Sequence, residues 1–201
     1  MAAKTRVAAD YYPTPAWCVH RLVEALDLPG GRWLEPAAGD GAIIRTINRQ
    51  DVEWTAAELR PEENAGLLRL VPEERLILGD FLHASKQDPR LGQRFDVAIT
   101  NPPYSQAEAF VRACRQRADV VVCLLRLGFA SSQERQPFLR HHAPDIYVLP
   151  NRPCFVHGAS DHSEYAWMVW SGAPKTVGSW RVLGLTPAHV RAGAADRIEA
   201  A

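Results

Sequence analysis

The chain has 201 residues, 47% hydrophobic and 23% charged, a globular balance at a length that can enclose one full core. Lys plus Arg (23) equal Asp plus Glu (23), which excludes coating of nucleic acid by bulk charge but permits a local basic patch. The chain lacks the roughly 18-residue apolar run that a membrane-spanning helix needs.

The opening "MAAKTRVAADYYPTP" carries no apolar segment of the signal-peptide type, and Cys18, Cys114, Cys123 and Cys154 form no C-x-x-C. A cytoplasmic protein without a disulfide framework is expected. Residues 1–201 read as one domain with its core over about 10–185 and an Ala-rich end that frays.

Helical and strand patterns alternate. Thr14 is placed to cap and Pro15 to open a helix whose apolar stripe is Cys18, Val19, Leu22, Val23 and Leu26; Gly30-Gly31 stops it. "RWLEPA" is the first strand, followed by a glycine turn and a helix carrying Ile43, Ile44 and Ile47. "EWTAAEL" is the second strand, Pro61 opens the next helix, and "RLILGD" is the third strand. A polar loop over about 84–94 leads into a fourth strand, "FDVAIT". Ser105 and Glu108 have capping-box spacing before a helix with Ala107, Phe110, Val111 and Cys114 inward. "DVVVCLLRL" reads as a strand buried on both faces. Ser131 to Glu134 offer a cap for a helix that Pro137 keeps short. "DIYVLP" and "EYAWMVW" are the closing strands and, with no helical pattern between them, are expected to pair antiparallel. The alternation implies a parallel sheet with helices on both faces.

The chemistry gathers where strands end. In "LEPAAGDGA" (34–42), Gly39 and Gly41 permit unusual φ angles and close approach of a ligand at the carboxyl end of the first strand. The spacing is neither the dinucleotide G-x-G-x-x-G nor the phosphate loop G-x-x-x-x-G-K. Glu35 and Asp40 would repel phosphate and suit a cationic or amine-bearing ligand; the alternative is a plain strand-to-helix turn. Glu58 ends the second strand, either accepting both hydroxyls of a ribose or standing as a solvated strand end. Asp80-Phe81 follows the third: either the aspartate accepts from an adenine amino group while Phe81 packs on the ring, or Asp80 caps a helix and Phe81 joins the core. One nucleoside-like ligand lying across the three tips accounts for all three features.

"NPPY" (101–104) sits at the fourth tip. Asn101 offers a carbonyl oxygen, the rigid Pro102-Pro103 turn can aim a backbone carbonyl the same way, and Tyr104 offers a flat face. Two acceptors beside an aromatic ring suit a planar, non-basic –NH2 group. The pairs His141-His142 and His157 with His162 lack a convincingly spaced third ligand, so no metal is expected. Arg126 either contacts nucleic acid or anchors a loop, and Arg152 either touches phosphate or is solvated.

Taken together these motifs resemble those of S-adenosylmethionine-dependent amino-methyltransferases, most closely the phage-type DNA adenine enzymes. "YYPTP", with Tyr12, Pro13 and Thr14, resembles the family's N-terminal cofactor motif. Glu35, Pro36, Ala37, Gly39 and Gly41 resemble its glycine motif, Glu58 its ribose acid, Asp80 and Phe81 its adenine site. Asn101, Pro102, Pro103 and Tyr104 resemble its catalytic motif, with Asn101 also touching the cofactor. "NRPCF" resembles the motif in which Phe155 helps hold the target base, with Arg152 beside it. The resemblance spans about residues 10–172. It implies a Rossmann-like class I methyltransferase fold, α/β, with seven strands and a reversed last strand. It implies S-adenosylmethionine as cofactor, DNA as partner, and methylation of adenine N6 after base flipping. It departs from the family in showing no separate target-recognition domain. RNA adenine and protein glutamine methyltransferases share the Asn-Pro-Pro-aromatic motif and stand as alternatives. So does a catalytically silent subunit of the same fold.

Overall fold

The computed structural model describes residues 13–155 and 163–193, and one eight-stranded sheet organises them. The strands are β1 (Gly31–Glu35), β2 (Val52–Glu58), β3 (Leu76–Leu78), β4 (Phe95–Thr100), β5 (Ala118–Arg126), β6 (Asp145–Leu149), β7 (Tyr165–Ser171) and β8 (Trp180–Val182). Their spatial order is β3-β2-β1-β4-β5-β7-β6-β8. Strands β3 to β5 are mutually parallel, and β7 runs antiparallel to both of its neighbours, β5 and β6.

The principal helices are α1 (Ala16–Ala25), α2 (Ala42–Ile47), α3 (Asn64–Leu67), α4 (Phe81–Ala84), α5 (Ala107–Arg115), α6 (Gln136–His141) and α7 (Ala188–Gly193). Two cores form, one on each face of the sheet. Helices α1 and α2 press Cys18, Leu22, Ile43 and Ile47 against Trp33, Val97 and Trp167. On the other face α4, α5 and α6 press Phe81, Phe110, Cys114 and Phe138 against Ala98, Val121 and Trp170. Alternating strand residues feed opposite cores, so the central strands are apolar throughout.

The antiparallel closing pair is present, but it does not end the sheet. An eighth strand, Trp180–Val182, lies parallel to β6. All three of its residues are exposed, which leaves no apolar alternation to reveal it in the sequence.

Local signals also yield to tertiary contacts. Thr14 is buried and makes no cap; Pro15 holds the N-cap position of α1 without a side-chain bond. Val23 is 41% exposed, on the outer side of the helix. Pro61 opens only a 3-10 turn before the single-turn α3. The Ser105–Glu108 capping box does not form. The Gln106 N–H bonds the Pro103 carbonyl at 2.9 Å, the chain continues as a 3-10 turn, and α5 starts later. Glu108 instead pairs with Arg112 at 2.8 Å. Ser131–Glu134 do not cap α6 either: a 3-10 turn spans Leu127–Ser131, and the N-cap is Arg135 without a side-chain bond.

Candidate functional site

Parallel strands deliver their carboxyl ends to one edge, so residues far apart in sequence meet there. Glu35 and Glu58 are the last residues of β1 and β2; Asp80 lies just beyond β3 and Asn101 just beyond β4. A cleft open to solvent runs along this edge. Pro13, Thr14, Glu35, Pro36, Ala37, Gly39, Glu58, Asp80, Phe81, Asn101 and Pro103 all line it. Tyr12 lies outside the described residues. Leu59, Arg60, Gln106 and Phe110 also line the cleft, and sequence reasoning missed them because their types carry no motif of their own.

The glycine turn is built around two left-handed residues, Gly39 (φ 58°) and Gly41 (φ 80°). Gly39 turns its N–H onto Glu58 Oε2 at 2.6 Å, which ties the tip of β1 to that of β2. Gly41 does not line the cleft. It is the N-cap of α2, and a Cβ there would collide with the Leu70 side chain. The expected close approach of a ligand therefore belongs to Gly39, whereas Gly41 serves the backbone path. Asp40 stabilises the same turn, accepting from the Ala42 N–H at 3.1 Å and pairing with Arg45 at 2.7 Å.

Glu58 is a buried strand end rather than a solvated one. Its Oε1 accepts from the Arg60 N–H and from Arg60 Nε, both at 2.9 Å, and Arg60 is itself largely buried. Asp80 caps α4, its Oδ1 accepting from the Leu82 N–H at 2.8 Å, while the residue still borders the cleft. Phe81 is in the core, 5.3 Å from the Phe110 ring, and reaches the cleft wall as well.

Glu35 is the most unusual group. It is 1% exposed, faces the cleft, and its Oε2 has no hydrogen-bond partner. Burial first, then the negative charges of Asp40 and Glu58, push its carboxyl well above the ordinary range. A buried polar atom without a partner is costly, and the neighbouring acids would favour a cation beside it.

At the β4 tip, Tyr104 folds back so that its hydroxyl donates to Asn101 Oδ1 at 2.9 Å. Pro102 is buried and Pro103 is half-buried. Tyr104 also joins an aromatic group: Tyr165 lies 5.7 Å from it and 5.1 Å from Phe155. Tyr165 opens β7 and is fully buried; the reversed strand brings it here, which no local signal announces. Arg126, at the end of β5, places its guanidinium 5.0 Å from the Tyr104 ring and donates from Nε to the Tyr165 hydroxyl at 3.1 Å. Arg152 pairs with Glu164 at 2.6 Å, which offsets its charge. Trp167 and Trp170 are core residues, their indole N–H groups bonded to the Cys18 and His142 carbonyls at 2.9 and 2.8 Å.

Other chemistries find less support. Burial pushes the Cys114 thiol up to about 12 and raises Cys18 and Cys123 as well, which leaves these thiols protonated and inert. Among the described residues no three His, Cys, Asp or Glu side chains gather as metal ligands; His157 and His162 lie outside them. No described helix is long and apolar enough to cross a membrane.

No protein-family model and no curated protein matches the sequence. Solved structures match the fold. A putative class I S-adenosylmethionine-dependent methyltransferase from Listeria monocytogenes superimposes with a TM-score of 0.56 at 15% identity, covering 92% of this chain and 68% of that one. A putative RNA methyltransferase from Pyrococcus horikoshii gives 0.55 at 15% identity, over 85% and 91% of the two chains. Precorrin-6y C5,15-methyltransferase from Geobacter metallireducens gives 0.52 at 16% identity, over 86% and 94%. These likenesses, with the strand order and the reversed β7, establish that the chain has the α/β Rossmann-like methyltransferase fold.

Proposed function

We propose that the protein binds S-adenosylmethionine in the cleft and methylates the exocyclic N6 amino group of adenine in DNA. One observation carries this reading: Asn101, the candidate amino acceptor, lines the same cleft as Glu35, Gly39, Glu58 and Asp80. The residues suit that cofactor. Its ammonium and sulfonium charges match a wall bearing Glu35, Asp40, Glu58 and Asp80, and a buried Glu35 oxygen is without a partner. Glu58 would accept from the ribose, at the cost of loosening its bond with Arg60.

When bound, the cofactor supplies an electrophilic methyl group on a sulfonium. The protein's part is orientation and electrostatics. An adenine amino group is a weak nucleophile because its lone pair is delocalised into the ring. Asn101 Oδ1 and the Pro102 carbonyl would accept its two hydrogens, favour a pyramidal nitrogen and stabilise the positive charge that develops on it. The proline turn fixes these acceptors in advance and the Tyr104 hydroxyl orients the Asn101 amide, so little reorganisation is needed. A carbonyl oxygen has two acceptor lone pairs, so Asn101 can serve Tyr104 and the substrate together. Tyr104 and Phe155 would flank the base, which must leave its stack to reach the cleft.

RNA adenine is the second reading, supported by the likeness to the Pyrococcus protein, whose name gives RNA as its substrate. Incubation with labelled S-adenosylmethionine and separate DNA, RNA and protein pools, followed by mass spectrometry of nucleosides and amino acids, decides between them. N6-methyladenine in DNA is the expected product. Label confined to protein glutamine would overturn the nucleic-acid reading.

A further inference from the structure

The overall neutrality conceals a division of charge across the sheet. Residues 51–80, which build β2, β3 and the segment between them, carry eight acids against three arginines. Residues 101–142, which build α5, β5 and α6, carry six arginines against three acids. The strand order puts the first block at one edge of the sheet and the second beyond β4. The acidic half borders the cofactor cleft and would repel a phosphate backbone. The basic half begins at the Asn101 tip.

Arginines crowd the α5–α6 face. Arg112 stands 4.3 Å and Arg115 5.9 Å from the centroid of one ring, Phe138, and Arg135 stands 4.8 Å from Phe129. Arg112 and Arg135 share a single carboxylate, Glu108, at 2.8 and 3.9 Å, so the trio keeps a net positive charge. Arg140 is exposed on α6. Burial and then the Arg112 charge hold the Arg115 guanidinium below its ordinary range, and His142 is lowered by burial and by Arg115, Arg112 and His141. Beside Arg140 a shallow groove is lined by Ser131, Ser132, Gln133 and Gln136, which are uncharged hydrogen-bonding groups. The α5 side of this face reaches the cleft itself, which Gln106 and Phe110 line beside Asn101.

We propose that this arginine face, from Arg135 across Arg112 to Arg140, is the track for a nucleic-acid sugar-phosphate backbone, holding the strand whose target base enters beside Asn101. The inference rests on the nucleic-acid reading of the site. Guanidinium groups suit phosphate oxygens, and stacking on Phe138 and Phe129 pre-orders them. Backbone contacts set orientation and carry no sequence information, so the track positions any strand alike.

The test uses the full chain saturated with S-adenosylmethionine. Anisotropy of labelled single-stranded DNA, duplex DNA and RNA is read across a salt series for the wild type, for the triple variant Arg112→Gln, Arg135→Gln, Arg140→Gln, and for the matching triple lysine variant. The glutamine variant should bind at least about tenfold more weakly, and its slope of log affinity against log salt should fall by about 2 to 3. The lysine variant should keep the wild-type slope, and calorimetric affinity for S-adenosylmethionine should be unchanged in both. A glutamine variant with wild-type slope and affinity would overturn the track while leaving methylation of nucleic acid intact. Equal loss in the lysine variant would also overturn it, because charge would not be what binds. A wild type that binds no nucleic acid and methylates only protein would remove the functional reading, and the track with it.

Discussion

Asn101 and Glu35 carry the two halves of the proposed chemistry and separate cleanly by mutation. Asn101→Ala removes an acceptor for transition-state charge and should slow single-turnover methylation about a hundred- to a thousandfold, close to 3 to 4 kcal/mol, with cofactor affinity retained. Wild-type turnover in this variant would end the catalytic assignment. Tyr104→Phe is the subtler change. Its ring remains for stacking, but the 2.9 Å bond that orients Asn101 is lost. A hydrogen bond of this kind contributes about 0.5–1.5 kcal/mol, so kcat should drop a few-fold with little change in KM. Glu35→Gln tests the buried acid. The folded carboxyl titrates above its ordinary value of 4.5, so the folded state holds a proton that the unfolded chain has released. Its contribution to stability is fully present below about pH 4.5 and is lost as pH rises through the folded value. Glu35→Gln should therefore stabilise the cofactor-free protein more at pH 8 than at pH 5 in urea unfolding. Cofactor affinity should fall in the same variant by about 1.5–3 kcal/mol, the range for a hydrogen bond to a charged group. A gain in stability that is the same at both pH values would show that Glu35 is not the titrating group.

In the turn from β1 into α2, one residue, Gly41, serves the site without lining it. Gly41 sits at φ 80°, where a side chain costs about 1–2 kcal/mol, and its Cβ would press on Leu70. Gly41→Ala should destabilise the protein by about that amount in denaturant melts. Its effect on calorimetric cofactor affinity should be smaller than that of Glu58→Ala, because Glu58 faces the cleft and Gly41 does not. The reverse ranking would mean that Gly41 meets the ligand directly. The same attention to tertiary context explains the failed capping box at α5. Ser105 and Glu108 have suitable spacing, but the chain runs as a 3-10 turn over Tyr104–Gln106, α5 takes Gln106 as its N-cap, and Glu108 is drawn to Arg112.

Across the molecule, β7 is the strand on which most depends. It slots between β5 and β6, presents Tyr165 to the Asn101 tip, and sends Trp167 through to α1, where its indole N–H bonds the Cys18 carbonyl in a fully buried position. Trp167→Phe keeps much of the apolar bulk and leaves that carbonyl without this donor. A loss of about 1–3 kcal/mol in urea unfolding is expected, together with a shrinkage cost from the smaller ring. Unchanged stability would show that the bond between β7 and α1 contributes nothing.

The parallel part of the fold and the cleft were legible in the chain because they rest on short-range rules. Continuous apolar runs mark strands buried on both faces, and a parallel sheet sends every strand's last residue to one edge. Glu35, Glu58, Asp80 and Asn101 could thus be assigned to a common cleft from their positions after "RWL", "EWTAA", "RLIL" and "FDVAIT" alone. Tertiary structure decided the rest. The eighth strand has three exposed residues and exists only because β6 offers it an edge. Tyr165 reaches Tyr104 and Phe155 through strand reversal, Arg126 is placed over Tyr104 by the end of β5, and the arginines of α5 and α6 form one face because both helices pack on the same side of the sheet. Those contacts join residues tens of positions apart, and neither periodicity nor spacing encodes which distant partner a side chain will meet.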